Sequence, residues 1–113
     1  MLCSENRPWG VREEWMNELN YRVQRIIIHP GKRFSLQYHK LRDEHWVIVQ
    51  GEGKLTLGNQ NKNVSIGDHI FVPLGGIHRL ENISQENLTF IETQLGQCLE
   101  EDIVRIEDDW NRQ

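Results

Sequence analysis

Gly31-Lys-Arg-Phe-Ser-Leu-Gln37-Tyr-His39-Lys-Leu-Arg-Asp-Glu44-His-Trp-Val-Ile-Val-Gln-Gly51 is the stretch on which the reading of this chain turns. Gln37 and His39 are two residues apart, so on an extended strand both side chains leave the same face. A second stretch, Gly67-Asp-His-Ile-Phe-Val-Pro73-Leu-Gly75-Gly-Ile-His78-Arg-Leu-Glu-Asn82, adds another imidazole. One amide oxygen, two imidazoles and one carboxylate (Gln37, His39, His78 and Glu44) form a plausible ligand set for a divalent metal, provided neighbouring strands of a small barrel bring Glu44 and His78 to the first pair. Mixed nitrogen and oxygen donors suit Zn²⁺ first, with Mn, Fe, Co or Ni as alternatives, and leave positions open for water or substrate.

The rest of the pattern is that of an all-β domain. Short apolar runs alternate with Gly, Asn and Pro turns, as in a sandwich or barrel. Strands are expected over 21–29, 34–38, 44–49, 54–57, 64–65, 69–72, 78–82 and 88–94, with 58–63 as a turn cluster. Val11, Trp15 and Leu19 recur at helical spacing, but we assign 11–19 to a strand ending in a turn near Asn17-Glu18. The tail, 100–109, suits one helical turn or an edge strand. Strand parity places Arg33 and Ser35 on the face of Gln37 and His39, and Trp46 and Ile48 on the face of Glu44; His45 then points away.

The two stretches resemble the signature motifs of the cupin superfamily. The first, G-x5-H-x-H-x4-E-x6-G, matches except that Gln37 replaces the first His; the second, G-x5-P-x-G-x2-H-x3-N, matches at Gly67, Pro73, Gly75, His78 and Asn82. Both fall within 52 residues, with fifteen between Gly51 and Gly67. Gln37 to Trp46, together with Arg7 to Gly10, Pro30 to Gln37, His78 to Asn82 and Asp102 to Asp108, is similar to the isomerase cupin at the C-terminus of bifunctional mannose-1-phosphate guanylyltransferase/mannose-6-phosphate isomerases. The resemblance covers about residues 7 to 112. It implies a single cupin (a double-stranded β-helix, or jelly-roll-like small barrel) over residues 1–113, with a core of about 7–96 and a tail of 97–113. It is expected to stand alone, without the guanylyltransferase segment.

The implied function is metal-dependent interconversion of mannose 6-phosphate and fructose 6-phosphate. The alternatives are a non-catalytic sugar or sugar-phosphate binding module and another small metal-dependent cupin enzyme such as an oxygenase. Isomerisation moves a proton between C1 and C2, stabilises an enediolate and anchors a phosphate. Arg33 is the expected anion anchor, because a guanidinium grips phosphate in a fork; Arg25, Arg79 and Lys32 are weaker alternatives. Lys54, Glu92 and His45 are the groups left for proton transfer, and Trp46 and Trp9 could stack on a sugar ring.

Composition narrows the classes. A net charge of −4 argues against general nucleic-acid binding. No apolar run approaches the ~18 residues of a membrane span, and the N-terminus lacks the apolar segment of a signal peptide. Cys3 and Cys98 form neither a disulfide framework nor a zinc motif, so a reducing cytoplasm is expected. A homodimer is expected too, because Tyr21, Val23 and Ile27 make one face of the strand at 21–28 apolar while Ile26 and Ile28 fill the other.

Overall fold

The computed structural model describes residues 1–110, which form two antiparallel sheets. Eleven strands are present among them: β1 (Cys3–Arg7), β2 (Gly10–Asn17), β3 (Tyr21–Ile28), β4 (Leu36–Tyr38), β5 (Arg42–Gln50), β6 (Gly53–Leu57), β7 (Gln60–Val64), β8 (His69–Val72), β9 (His78–Asn82), β10 (Leu88–Gly96) and β11 (Val104–Glu107). One sheet has the order β1-β2-β3-β10-β5-β8 and the other β11-β4-β9-β6-β7. Their inner faces close on one core, in which Ile28, Trp46, Ile48, Leu55, Leu80, Leu88 and Phe90 are all buried. No helix is long and apolar enough to cross a membrane among the described residues.

Strand alternation explains the burial. Along β5, Arg42, Glu44, Trp46 and Ile48 are buried, whereas Val47 and Val49 are exposed. Along β3, Arg22, Gln24, Ile26 and Ile28 turn inward. The register aligns these rows: Phe90 pairs with Ile48 and Ile26, Glu92 with Trp46 and Gln24, and Gln94 with Glu44 and Arg22. One end of the interior is therefore apolar and the other polar; the switch falls at Gln24 and Glu92 on β3 and β10 and one inward residue further along, at Glu44 beyond Trp46, on β5.

Several elements depart from expectation. Residues 60–63, read as turn, begin β7, an edge strand whose polar side chains are exposed and whose ladder to β6 runs from Gly53↔Val64 to Leu57↔Gln60. Polar residues suit an edge strand with an exposed face, so composition alone suggested a loop. β1 carries no apolar alternation and was not anticipated; Arg12 and Arg7 each bind Glu5 beside it. The 11–19 segment is the expected strand, β2, followed by a turn from which Glu18 N donates to Tyr21 O at 2.9 Å. The tail contributes β11 at the edge beside β4, so the sheets extend on both sides of the 7–96 core.

Gly51, the last glycine of the first motif, turns the chain between β5 and β6 with φ of 83°. A Cβ there would lie 2.7 Å from Asn87 O and 3.0 Å from Leu88 Cα, both backbone atoms. Gly51→Ala should therefore destabilise the fold by roughly 1–3 kcal/mol, from left-handed strain and this close approach. Chemical denaturation is the check, and an unchanged midpoint would contradict it.

Candidate metal centre and cavity

His39, Glu44 and His78 come from three segments and converge in the interior. His78 lies opposite Gln37 in the β4–β9 pairing, and Glu44 is brought in by β5 from the other sheet. One donor atom from each of the three lies within 4.8 Å of the others, and all three residues are buried. His39 Nε2 is 3.3 Å from Glu44 Oε2.

The imidazoles are oriented by backbone carbonyls. His39 Nδ1 is 2.6 Å from Asp102 O, and His78 Nδ1 is 2.9 Å from Gly76 O. A carbonyl oxygen only accepts, so each Nδ1 carries the hydrogen and each Nε2 offers its lone pair to the cavity. His78 Nε2 is buried and has no hydrogen-bond partner. A buried lone pair without a donor is costly, and a metal ion satisfies it. These residues fit a divalent ion, and burial favours the required protonation states. It pushes His39 down to about 4 and lowers His78, so both are neutral at neutral pH. Burial alone would raise the Glu44 carboxyl, but the facing charges of His78, His39 and Arg42 reverse this and hold it below the ordinary carboxylate range. With the imidazoles neutral, Arg42 supplies the standing positive charge. Its Nε donates to Glu44 Oε2 at 2.9 Å, and its Nη2 is 3.2 Å from His39 Nε2.

Gln37 is adjacent but differently engaged. Its Oε1 accepts from Ser35 Oγ at 2.6 Å, and its Nε2 lies 3.5 Å from His39 Nε2. An amide rotation would present the oxygen to an ion, with the Ser35 hydroxyl then accepting from the nitrogen.

Trp46 is buried in the cavity wall, where its indole N–H donates to Glu44 Oε1 at 3.0 Å and its ring stacks on Phe90 with centroids 4.6 Å apart. Trp9 lies edge-on to Phe34. Glu92 is fully buried beside Glu44; burial first, and the Glu44 charge second, push its carboxyl up to about 8. Gln94 Nε2 donates to Glu92 Oε1 at 2.5 Å, and Arg22 Nε donates to Gln94 Oε1 at 2.9 Å. These groups line a cavity of about 130 Å³.

Other expected residues lie elsewhere. Arg33 does not line the cavity; its guanidinium is held in a fork by Asp109, at 2.8 and 3.0 Å. The strand phase fails there because only an isolated bridge to Glu81 forms at Arg33, and both Phe34 and Ser35 are buried before β4 begins at Leu36. Lys54 is exposed on β6, because its neighbours Gly53 and Leu55 take the inward positions. His45 is on the outer face, 3.1 Å from His69. Arg25 pairs with Glu13, Lys32 lies over Trp110, and Arg79 donates to Phe34 O and Glu107 O. Sequence reasoning did not identify Asp102, Arg42, Gln94, Arg22 or Arg12. Only the inward parity of Arg42 with Glu44, and of Gln94 with Glu92, offered a signal.

The family model described as "Mannose-6-phosphate isomerase C-terminal" matches residues 2–108. The chain belongs to this family. It is 40% identical over 107 residues to mannose-1-phosphate guanylyltransferase ManC of Salmonella typhimurium, covering 94% of this chain and 22% of that protein. It is 39% identical to the xanthan biosynthesis protein XanB of Xanthomonas campestris, covering 94% of this chain and 23% of that protein. The chain thus spans under a quarter of these relatives. Among solved structures, the Staphylococcus aureus capsular polysaccharide assembling protein CapF superposes with a TM-score of 0.83 at 18% identity, covering 93% of this chain and 34% of that one. A cupin-superfamily sugar phosphate isomerase from Silicibacter pomeroyi gives 0.62 at 24% identity, covering 67% and 50%. These likenesses establish the cupin fold.

The orphaned His78 nitrogen makes a direct test. Protein incubated with Zn²⁺ or Mn²⁺ and desalted should retain about one ion per chain, and His78→Ala should lose most of it, since one strong nitrogen ligand is gone. Elemental analysis is the readout; wild-type protein that retains no ion would remove the metal assignment.

Proposed function

We propose that this domain interconverts mannose 6-phosphate and fructose 6-phosphate, using one divalent ion held by His39, Glu44, His78 and, after amide rotation, Gln37. The observation that carries this reading is the convergence of three buried ligand side chains on a cavity, in a chain of the mannose-6-phosphate isomerase C-terminal family. Bound there, a divalent ion supplies Lewis-acid polarisation of the sugar carbonyl. The chain's own residues supply the rest. Trp46 and Arg42 fix the two Glu44 oxygens, so the carboxylate cannot swing away from the imidazoles. Glu92 is the buried cavity carboxyl that no ligand role uses, and we assign to it the transfer of the proton between C1 and C2. Gln94 orients it through Oε1. The apolar floor of Phe90 and Ile26 and the indole of Trp46 exclude water, which strengthens each electrostatic contact.

A coupled assay of mannose 6-phosphate turnover on ion-loaded protein tests this. Turnover should fall on chelation, and Glu92→Gln should lower kcat by about 10²–10⁴-fold with ion content unchanged. Sugar-phosphate binding without turnover would replace the isomerase reading with that of a binding module.

We also propose pairing of two copies through the outer face of the larger sheet. Tyr21, Val47, Val49, Phe71, Ile91 and Leu95 are exposed there, and on β3 Val23 and Ile27 are half-buried outward. Such an apolar face suits burial against a second copy. Light scattering should give twice the chain mass at micromolar protein, and Val47→Glu should give a monomer; a monomer mass for the unaltered chain would remove the claim.

A further inference from the structure

The polar end of the cavity holds a feature that neither the metal centre nor Glu92 explains. Three guanidiniums from the first strands meet the Glu100 carboxylate from the tail, and on the strands themselves they also face Glu5, 2.6 Å from Arg7 and 2.7 Å from Arg12, and Glu14, 3.6 Å from Arg22. Arg22 Nη1 is 2.7 Å from Glu100 Oε1, Arg12 Nη2 is 3.3 Å from the same oxygen, and Arg7 Nη2 is 3.9 Å from Oε2. The partners differ in exposure: the Arg22 and Arg12 side chains are only 4% and 10% exposed, but Glu100 is 55% exposed. The two buried arginines are built into the wall. With the Gln24 amide turned so that its oxygen faces them, it accepts from Arg22 Nε at 3.1 Å and from Arg12. Arg12 Nε is buried and makes no hydrogen bond.

Charge points the same way. Arg7, Arg12, Arg22, Arg42 and Arg105 line the cavity, against the carboxylates of Glu44, Glu92 and Glu100. Five guanidiniums against three carboxylates leave the lining basic. Position matches as well. Arg22 and Glu44 flank Gln94 in register, so their strands are two spacings, about 10 Å, apart. A hexose phosphate can span that gap, with its carbonyl end at the ligands and its phosphate at the arginines.

We propose that Arg7, Arg12 and Arg22 form the phosphate subsite of the cavity, and that the Glu100 carboxylate is an internal occupant which an incoming phosphate monoester displaces. That the phosphate belongs to a sugar rests on the isomerase reading; that the subsite takes phosphate does not. A phosphate dianion carries more charge than a carboxylate and offers three acceptor oxygens to the same forks, so exchange is favourable. Glu100 can swing outward because its side chain is already largely in solvent, whereas the buried arginines cannot follow it.

The test is calorimetric titration of inorganic phosphate, mannose 6-phosphate and unphosphorylated mannose into the ion-loaded protein and its variants. Glu100→Gln removes the competing charge and should tighten both phosphates about tenfold, with mannose unchanged. Arg7→Gln, at a partly exposed position that keeps the buried pair intact, should weaken both phosphates several-fold; its melting temperature would report any loss of fold. Unchanged or weaker phosphate binding by Glu100→Gln overturns the proposal, as does equal tightening of mannose. If Glu100→Gln tightens inorganic phosphate but the unaltered protein does not isomerise mannose 6-phosphate, the subsite stands and the isomerase reading falls. If the protein isomerises and Glu100→Gln leaves phosphate affinity unchanged, the subsite falls and the isomerase reading stands.

Discussion

A carboxylate buried inside a β-barrel is the constraint around which this molecule is arranged. Glu44 is only 2% exposed, so each of its oxygens calls for a donor from the chain. Trp46 serves Oε1 and Arg42 serves Oε2, and both are on the same strand at two-residue spacing from Glu44. The strand thus carries its own solution to the desolvation problem. Removing either partner would leave a buried charge under-satisfied, a loss of about 3–5 kcal/mol for an ion-paired group. His39 Nε2 also approaches this carboxylate, at 3.3 Å from the Oε2 that Arg42 serves.

The tail completes this arrangement from far away in the chain. Asp102 accepts from the backbone N–H groups of Lys40 and Leu41, at 2.9 Å each, and its carbonyl fixes the His39 ring. Leu99 O accepts from Arg42 Nη1 at 3.3 Å. A segment that sequence reading treated as an appendage therefore sets the tautomer of His39 and the position of the guanidinium next to it.

What could be read from the sequence was whatever depended on strand parity within a regular run. Gln37 with His39, Glu44 with Trp46, and the outward turn of His45 all follow from a period of two. Parity broke where the chain was not a strand: between Arg33 and Leu36 both Phe34 and Ser35 go inward, which carried Arg33 out to Asp109. It also could not choose a face for Lys54 or Glu92. Contacts between strands distant in sequence, such as Arg22 with Gln94 or His39 with Asp102, leave no local trace. Nor does an edge strand of Asn, Gln and Lys, whose residues read as a loop.

The change of inward residues from polar to apolar divides the interior in two. Ile26, Ile48 and Phe90 hold the sheets together below that boundary, and Gln24, Glu92, Gln94 and Arg22 sit above it. Apolar packing and the buried polar network are thus assigned to different storeys of one barrel. Substitutions in the upper storey alter the polar network without disturbing the packing that closes the lower one. A domain built this way can vary its polar interior while its hydrophobic foundation stays the same.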